Sequence, residues 1–569
     1  MKLFKYIPIL FVLAFMPLVQ SCSIEEELLD TPTPALIKNE QDVEAVINGL
    51  YARFNDASAF KFQGMMMLTL MADDLYSSAG SEYGAYGNRT LSGGNTNSFW
   101  NQFYFSIASA NALIKTLDEL ELDPDFEKRA YGEAHFIRAF SYYYLVRMWG
   151  GVPLRLNATD INSDFYLPRS SVDQVYNQIF ADFKKASESL PLYKKIPAAE
   201  LGRASKGAAQ GLMAQAYLTY GNQLSLRGQD PTAQYQNAVV YADSVISSNQ
   251  YTLISNFKSL FDLQQEANAY NEVLFGIRFQ VDQQNRAQPA AGSEFALRFM
   301  VANTRGTTGA PNTGGGGQIR VMPWFGDFYR TGDYVTGTPG DVDFQMDFRN
   351  EVSFYTRGVN PSGGVTVMYP DGGGATRVNT PLVGKYIDPN GKDDRNHGND
   401  FFIIRFAEIF LIKAEAENEL NGPTAAAINA FNKVRDRARK ADGTPRAVPA
   451  DLPVATTMTK ADFRMKIFDE RGLELLGEGQ RWFDLVRMQH PQDPTKTMYE
   501  HQFLEELRKP KYTTVFPAWQ TANNAWSTSN AVYENALNVS VPKFLLFPIP
   551  TNEILNNPKV GVQNQNTGW

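Results

Sequence analysis

The sequence predicts a mostly α-helical protein, a scaffold of stacked helix pairs that carries one large, loop-rich and partly β insertion. Three observations point there. Apolar residues recur at three- and four-residue spacing through the first half of the chain and again after residue 400. The periodic stretches stop at Gly, or at Gly followed by Pro, as at Gly150-Gly151, Gly221 and Gly422-Pro423, which is how helices end. Between about 280 and 400 the periodicity gives way to glycine-rich sequence.

The N-terminus concerns location. Lys2 and Lys5 precede an apolar run, Ile7 to Val19, that is too short to span a bilayer. The run ends at Val19-Gln20-Ser21-Cys22, with the acids Glu25 to Glu27 close behind. Cys22 is the only cysteine of 569 residues, so no intramolecular disulfide is available. The arrangement resembles a lipobox: residues 1–21 are expected to be a lipoprotein signal peptide and Cys22 the lipidated first residue of a mature chain, 22–569. Gln20 stands where a small residue is usual, and the acidic run resembles a surface-export signal. Composition is that of a soluble body, 43% hydrophobic and 20% charged, with net charge -8 and no basic stripe to follow phosphates, which argues against nucleic acid.

Thr31 to Pro34 (TPTP) reads as a stiff tether. Helical periodicity begins at Asp42, and Met65 to Leu75 is a further apolar stretch running past Asp73 and Asp74. Ser77 to Asn97 is a loop by composition, although it holds Tyr83, Tyr86 and Arg89. Three helix pairs follow: Ala134–Trp149 with Asp173–Leu190, Ala204–Tyr220 with Tyr235–Ser247, and Arg405–Leu420 with Ala425–Arg439. Their first helices set small residues beside large ones (Arg138-Ala139-Phe140, Ala214-Gln215-Ala216-Tyr217), as close stacking in a tetratricopeptide-like array requires. The scaffold is expected over about 40–270 and 400–490, the insertion over about 280–400 with strands near Val273–Phe279 and Val365–Tyr369, and a C-terminal segment over about 491–569.

Glu470 to Arg487 (ERGLELLGEGQRWFDLVR) places Glu470, Glu474 and Glu478 four apart among Arg471, Arg481 and Arg487. On a helix these acids form one row. A glycosidase instead needs two carboxyl groups facing each other across a bond, so the stretch reads as an ion-paired structural helix.

Together, the lipobox, Phe136-Ile137-Arg138-Ala139 running to Gly150-Gly151-Val152-Pro153, Ile404-Arg405-Phe406-Ala407-Glu408 running to Ala414-Glu415-Ala416, Glu470-Arg471 to Arg487 and Phe547-Pro548-Ile549-Pro550 to Asn557-Pro558 resemble the SusD/RagB family of outer-membrane nutrient-binding lipoproteins. The resemblance implies a tetratricopeptide-like scaffold whose loop-rich side carries the ligand. It implies no catalysis and no cofactor. The expected role is capture of an oligosaccharide, or of a peptide as in some members, at the outer-membrane surface. Delivery to a SusC-like TonB-dependent transporter would follow. A surface glycoside hydrolase is the enzymatic alternative.

Sugar binding calls for flat aromatic faces ringed by hydrogen-bonding groups. Trp324 in the insertion is the first candidate platform, against packing in a satellite core beneath the loop. Tyr83, Tyr86 and Arg89 are the second, with Asp73 and Asp74 as hydroxyl acceptors at the loop mouth; loop packing and a helix-end role are the alternatives. The four histidines are scattered without metal-ligand spacing. Asp388, Asn390, Asp393, Asp394 and Asp400 do not match a calcium loop and read as a solvated turn, so no metal is expected.

Overall fold

The computed structural model describes residues 37–77, 81–160, 162–281, 292–300, 317–338, 341–359, 365–372, 376–388, 395–440, 445–509, 515–532 and 539–569. Cys22 and the tether lie outside them, as do Asn390, Asp393 and Asp394. No helix among the described residues is long and apolar enough to cross a membrane.

Helix α1 (Glu40–Ala52) is capped by Asn39, whose side chain accepts from the Asp42 N–H. Then come α2 (Asn97–Leu117), α3 (Pro124–Trp149), α4 (Val172–Ser189), α5 (Lys206–Leu226) and α6 (Thr232–Ser247). Helix α3 begins ten residues before the periodicity suggested. Its first turn, PDFEK, holds a single apolar anchor, Phe126, and starts instead on its cap: Asp123 accepts from the Asp125 and Phe126 N–H groups and Pro124 sits at the first position. From α2 to α6 each helix packs on the next, and the expected pairs α3–α4 and α5–α6 form. Small residues permit the approach: a Cβ on Gly221 of α5 would sit 2.7 Å from Tyr235 Cε1 of α6. Phe54, Phe60, Phe140 and Tyr144 close the middle of the core, with Phe54–Phe140 and Phe60–Tyr144 both at 5.1 Å, edge to face.

The insertion leaves the scaffold after β1 (Val273–Ile277) and carries α7 (Pro323–Phe328). A three-stranded sheet follows: β2 (Arg357–Val359), β3 (Val365–Met368) and β4 (Thr376–Val378), with β3 central, antiparallel to β2 and parallel to β4. The chain returns through β5 (Phe401–Arg405), which pairs antiparallel with β1, so the ends of the insertion are zipped together. Beyond lie α8 (Phe406–Asn421), α9 (Ala425–Ala438), α10 (Lys460–Glu474) and α11 (Arg481–Arg487), and α8 packs on both α6 and α9. A late hairpin, β6 (Val515–Gln520) with β7 (Ala525–Val532), completes the set.

The stretch 470–487 is not one helix. It breaks at a turn in which Gly477 and Gly479 take φ of +77° and +73°, values that disfavour any side chain. The ion-pair reading holds nonetheless. Glu474 meets Arg349 and Arg405 at 3.0 Å each, and also Arg437. Glu478 meets Arg405 and Lys385 at 2.7 Å each; Glu470 meets Arg349 at 2.6 Å and Arg435 at 2.9 Å. Glu272 (to Arg405 and Arg437) and Asp347 (to Arg349) complete a buried lattice of five acids and five bases. Burial alone would raise the Glu474 carboxyl, but Arg437, Arg405 and Arg349 hold it well below the carboxylate range. Asp347, Arg349 and Lys385 belong to the insertion, so the lattice fastens insertion to scaffold.

Candidate functional site

Five of the six ligand-binding candidates are buried and engaged by protein. Tyr83 accepts from Arg298, donates to Gln318 Oε1 at 3.1 Å, and meets Phe62 edge to face. The Tyr86 hydroxyl bonds Asn95 O at 2.9 Å and the Gln63 amide. Arg89 donates to Ala72 O at 3.1 Å and lies 4.6 Å over the Phe503 ring. Asp73 forms a two-pronged pair with Arg481, at 2.7 and 3.0 Å. Asp74 is buried beside it, and desolvation, then the Asp73 charge, pushes its carboxyl up to about 7. The segment that composition marks as a loop is therefore a packed element, and these five residues offer a ligand no open face.

Trp324 differs. It is half-buried on α7, which Pro323 starts at its first position and which is tied down by the Met322 N–H donating to Asp74 O at 2.8 Å. Its ring rests edge-on against Phe325 at 5.4 Å, at the margin of the main core and not in a satellite one.

From the same helix, Asp327 accepts from the Tyr369 hydroxyl at 2.9 Å, and this bond leads to an aromatic cluster. Tyr369, one residue past β3, meets Trp526 of β7 edge to face at 5.9 Å; Trp526 donates from Nε1 to Asp371 O at 2.7 Å. Across the hairpin Trp526 is the register partner of Trp519 on β6, their rings 5.3 Å apart and nearly perpendicular. The Arg377 guanidinium lies 4.2 Å over Trp519. All three rings are half-buried. The bordering acids each accept a hydroxyl bond, Asp327 from Tyr369 and Asp371 from Thr356 at 2.9 Å. Rings of this kind stack on the apolar faces of sugars while the polar rim meets hydroxyl groups.

Trp519, Trp526 and Tyr369 were not singled out from sequence. The available signal was Trp519 and Trp526 placed symmetrically about the turn TANN in an alternating stretch, the mark of a hairpin. Two larger clefts adjoin elsewhere, of about 490 and 680 Å3, between α1, β1 and residues 199–203 and 263–266, sharing Asn55, Ala199 and Arg278. Their linings mix amide and charged groups with Ala, Leu, Ile and Val, and Tyr51 and Phe279 are their only rings.

The histidines are less scattered in space than in sequence: His490, His501 and Glu505 converge. Yet His490 Nδ1 accepts from the Gln492 and Asp493 N–H groups at 3.0 and 3.2 Å. Its proton therefore sits on Nε2 and donates to Glu505 at 3.0 Å, leaving no lone pair for a metal there. Asp388 and Asp400, read as part of a solvated turn, are buried instead: Asp388 accepts from the Gly398 N–H at 3.0 Å, and Asp400 from the Phe279 N–H and the Tyr270 hydroxyl at 2.7 and 2.8 Å.

Comparison with known proteins places this geometry in context. Residues 271–569 match the model of the SusD family, and residues 26–218 match one described as starch-binding associating with outer membrane. The chain is 28% identical over 514 residues to SusD-like protein P2 of Formosa agariphila, covering 86% of this chain and 91% of that one. Among solved structures, a SusD homolog from Bacteroides thetaiotaomicron superposes with a TM-score of 0.74 at 20% identity, covering 94% of this chain and 98% of the other. A laminarin binding SusD-like protein superposes with a TM-score of 0.65 at 21% identity, over 94% and 100%.

Proposed function

The chain belongs to the SusD family, and from that premise we propose that it captures oligosaccharides at the outer-membrane surface, anchored through Cys22, and passes them to a SusC-like TonB-dependent transporter. The platform is the Trp519–Trp526–Tyr369 cluster, with Trp324 on the neighbouring helix as its extension. The observation that carries this reading is the pair of half-buried indoles, braced by Tyr369 and the Asp371 carbonyl and only partly covered by protein. The laminarin-binding relative agrees with a glycan ligand, and the family model's description agrees with the outer membrane. The transporter rests on the family resemblance.

The test is calorimetry of the purified protein across glycan and peptide panels. Trp519→Ala and Trp526→Ala are each expected to weaken glycan binding about tenfold or more, with the thermal midpoint unchanged. Glycan affinity that is the same in both variants refutes the platform. Shortened products after incubation would favour the hydrolase, and binding confined to peptides would favour the peptide-capturing form of the same role.

A further inference from the structure

We propose that the glycan taken by this cluster is anionic, its carboxylate or sulfate groups received by Arg377 and Arg330; this rests on the reading above and names the ligand class of the same site.

The guanidinium groups here differ from those of the lattice in having no ion pair with an acid among the described residues. In the lattice every Arg meets an acid within 3.0 Å. At the cluster, Arg377 has Trp519 beneath it, and its Nε is buried with no acceptor; Arg330, two residues past α7, has Nη1 buried with no acceptor. The indole Nε1 of Trp519 is a third buried donor without a partner. Neither Asp327, Asp371 nor Tyr369 has a buried acceptor left over. With no acid paired to either guanidinium, the half-buried Arg377 and Arg330 beside the rings are free to take an anionic group from a ligand. A sugar hydroxyl brings one donor with its two acceptor lone pairs and no charge; carboxylates and sulfates bring acceptors only, and a full charge, in the planar or forked geometry a guanidinium matches.

Charge points the same way. The sheet register sets Arg357, Val367 and Arg377 in one row across β2, β3 and β4, so both arginines share a face. Arg357 donates to Gly372 O at 3.3 Å, inside the same turn. With Arg330 that makes three cations against Asp327 and Asp371, whose carboxylates are taken by Tyr369 and Thr356. This is a locally positive surface on a protein of net charge -8. Burial also lowers the pKa of Arg330, partly offset by Asp327 and Asp371, so a bound anion would stabilise its charged form.

The experiment measures binding of oligogalacturonides, sulfated dextran oligomers and uncharged laminari- and malto-oligosaccharides of matched length, by calorimetry and tryptophan fluorescence, at low and high salt. At least one anionic probe is expected to bind about tenfold tighter than the uncharged ones, with the advantage shrinking in salt. The carboxylate and sulfate arms identify the group. Arg377→Ala and Arg330→Ala should bring affinity down to the uncharged level, Arg377→Lys should keep part of it, and Lys184→Ala on the exposed face of α4 should change nothing. Uncharged probes binding as tightly as anionic ones, or Arg377→Ala without effect while Trp519→Ala abolishes binding, overturns the proposal and leaves the aromatic platform standing. No probe binding, with Trp519→Ala equally silent, removes the platform as well.

Discussion

Replacing Asp74 by Asn should make the protein more stable at pH 8, and by less at pH 5. The carboxyl is buried next to Asp73, which already holds Arg481, and its Oδ1 finds no partner. Its pKa rises from 3.8 to about 7 in the folded state, desolvation first and Asp73 second. Between those values the unfolded chain has lost the proton and the folded chain keeps it. The folded state thus binds more protons, and stability falls as pH rises through this window. At ~1.4 kcal/mol per pH unit the full loss is about 4 kcal/mol, an upper bound because the native state relaxes around the charge. Asn keeps the shape and never ionises, so the penalty should vanish. Urea denaturation of wild type and Asp74→Asn at both pH values measures it. Wild type should lose stability relative to the variant by a few kcal/mol on going from pH 5 to pH 8. A variant that is destabilised equally at both pH values refutes the argument and would mean that Asp74 is ionised and paired.

Two further outcomes follow from the lattice and the N-terminus. Glu474→Gln leaves Arg349, Arg405 and Arg437 facing a neutral group in a dry interior and should cost about 3–5 kcal/mol in urea denaturation; a loss under about 1 kcal/mol would mean that the lattice repairs itself. Cys22→Ser should move the protein from the membrane fraction to the soluble one, and a variant that stays membrane-bound at wild-type level would exclude lipid anchoring at Cys22.

Local physics was legible in the sequence; long-range pairing was not. The helix pairs were readable because periodicity and glycine stops act within a few residues, and the antiparallel β1–β5 zipper sits where apolar runs flank the insertion. The start of α3 escaped because its first turn has no apolar stripe and depends on capping. The break before Glu478 escaped because four-residue spacing of acids looks helical even across Gly477, whose φ is positive. Tyr83 looked like a loop aromatic because its neighbours are Gly and Ser, whereas its partners Gln318 and Arg298 lie more than two hundred residues away. The platform was hidden for the same reason: Trp526 is braced by Asp371 from 155 residues upstream. Sequence can mark a tryptophan, but its neighbours in space decide whether the ring is core or platform.

The buried lattice has a mechanical consequence. Because it joins Asp347, Arg349 and Lys385, one acid and two bases, to the turn at Glu474–Glu478, peeling one layer from the other would strand several ions at once. The insertion is thereby held to the scaffold by charge pairs that must break before the two can part.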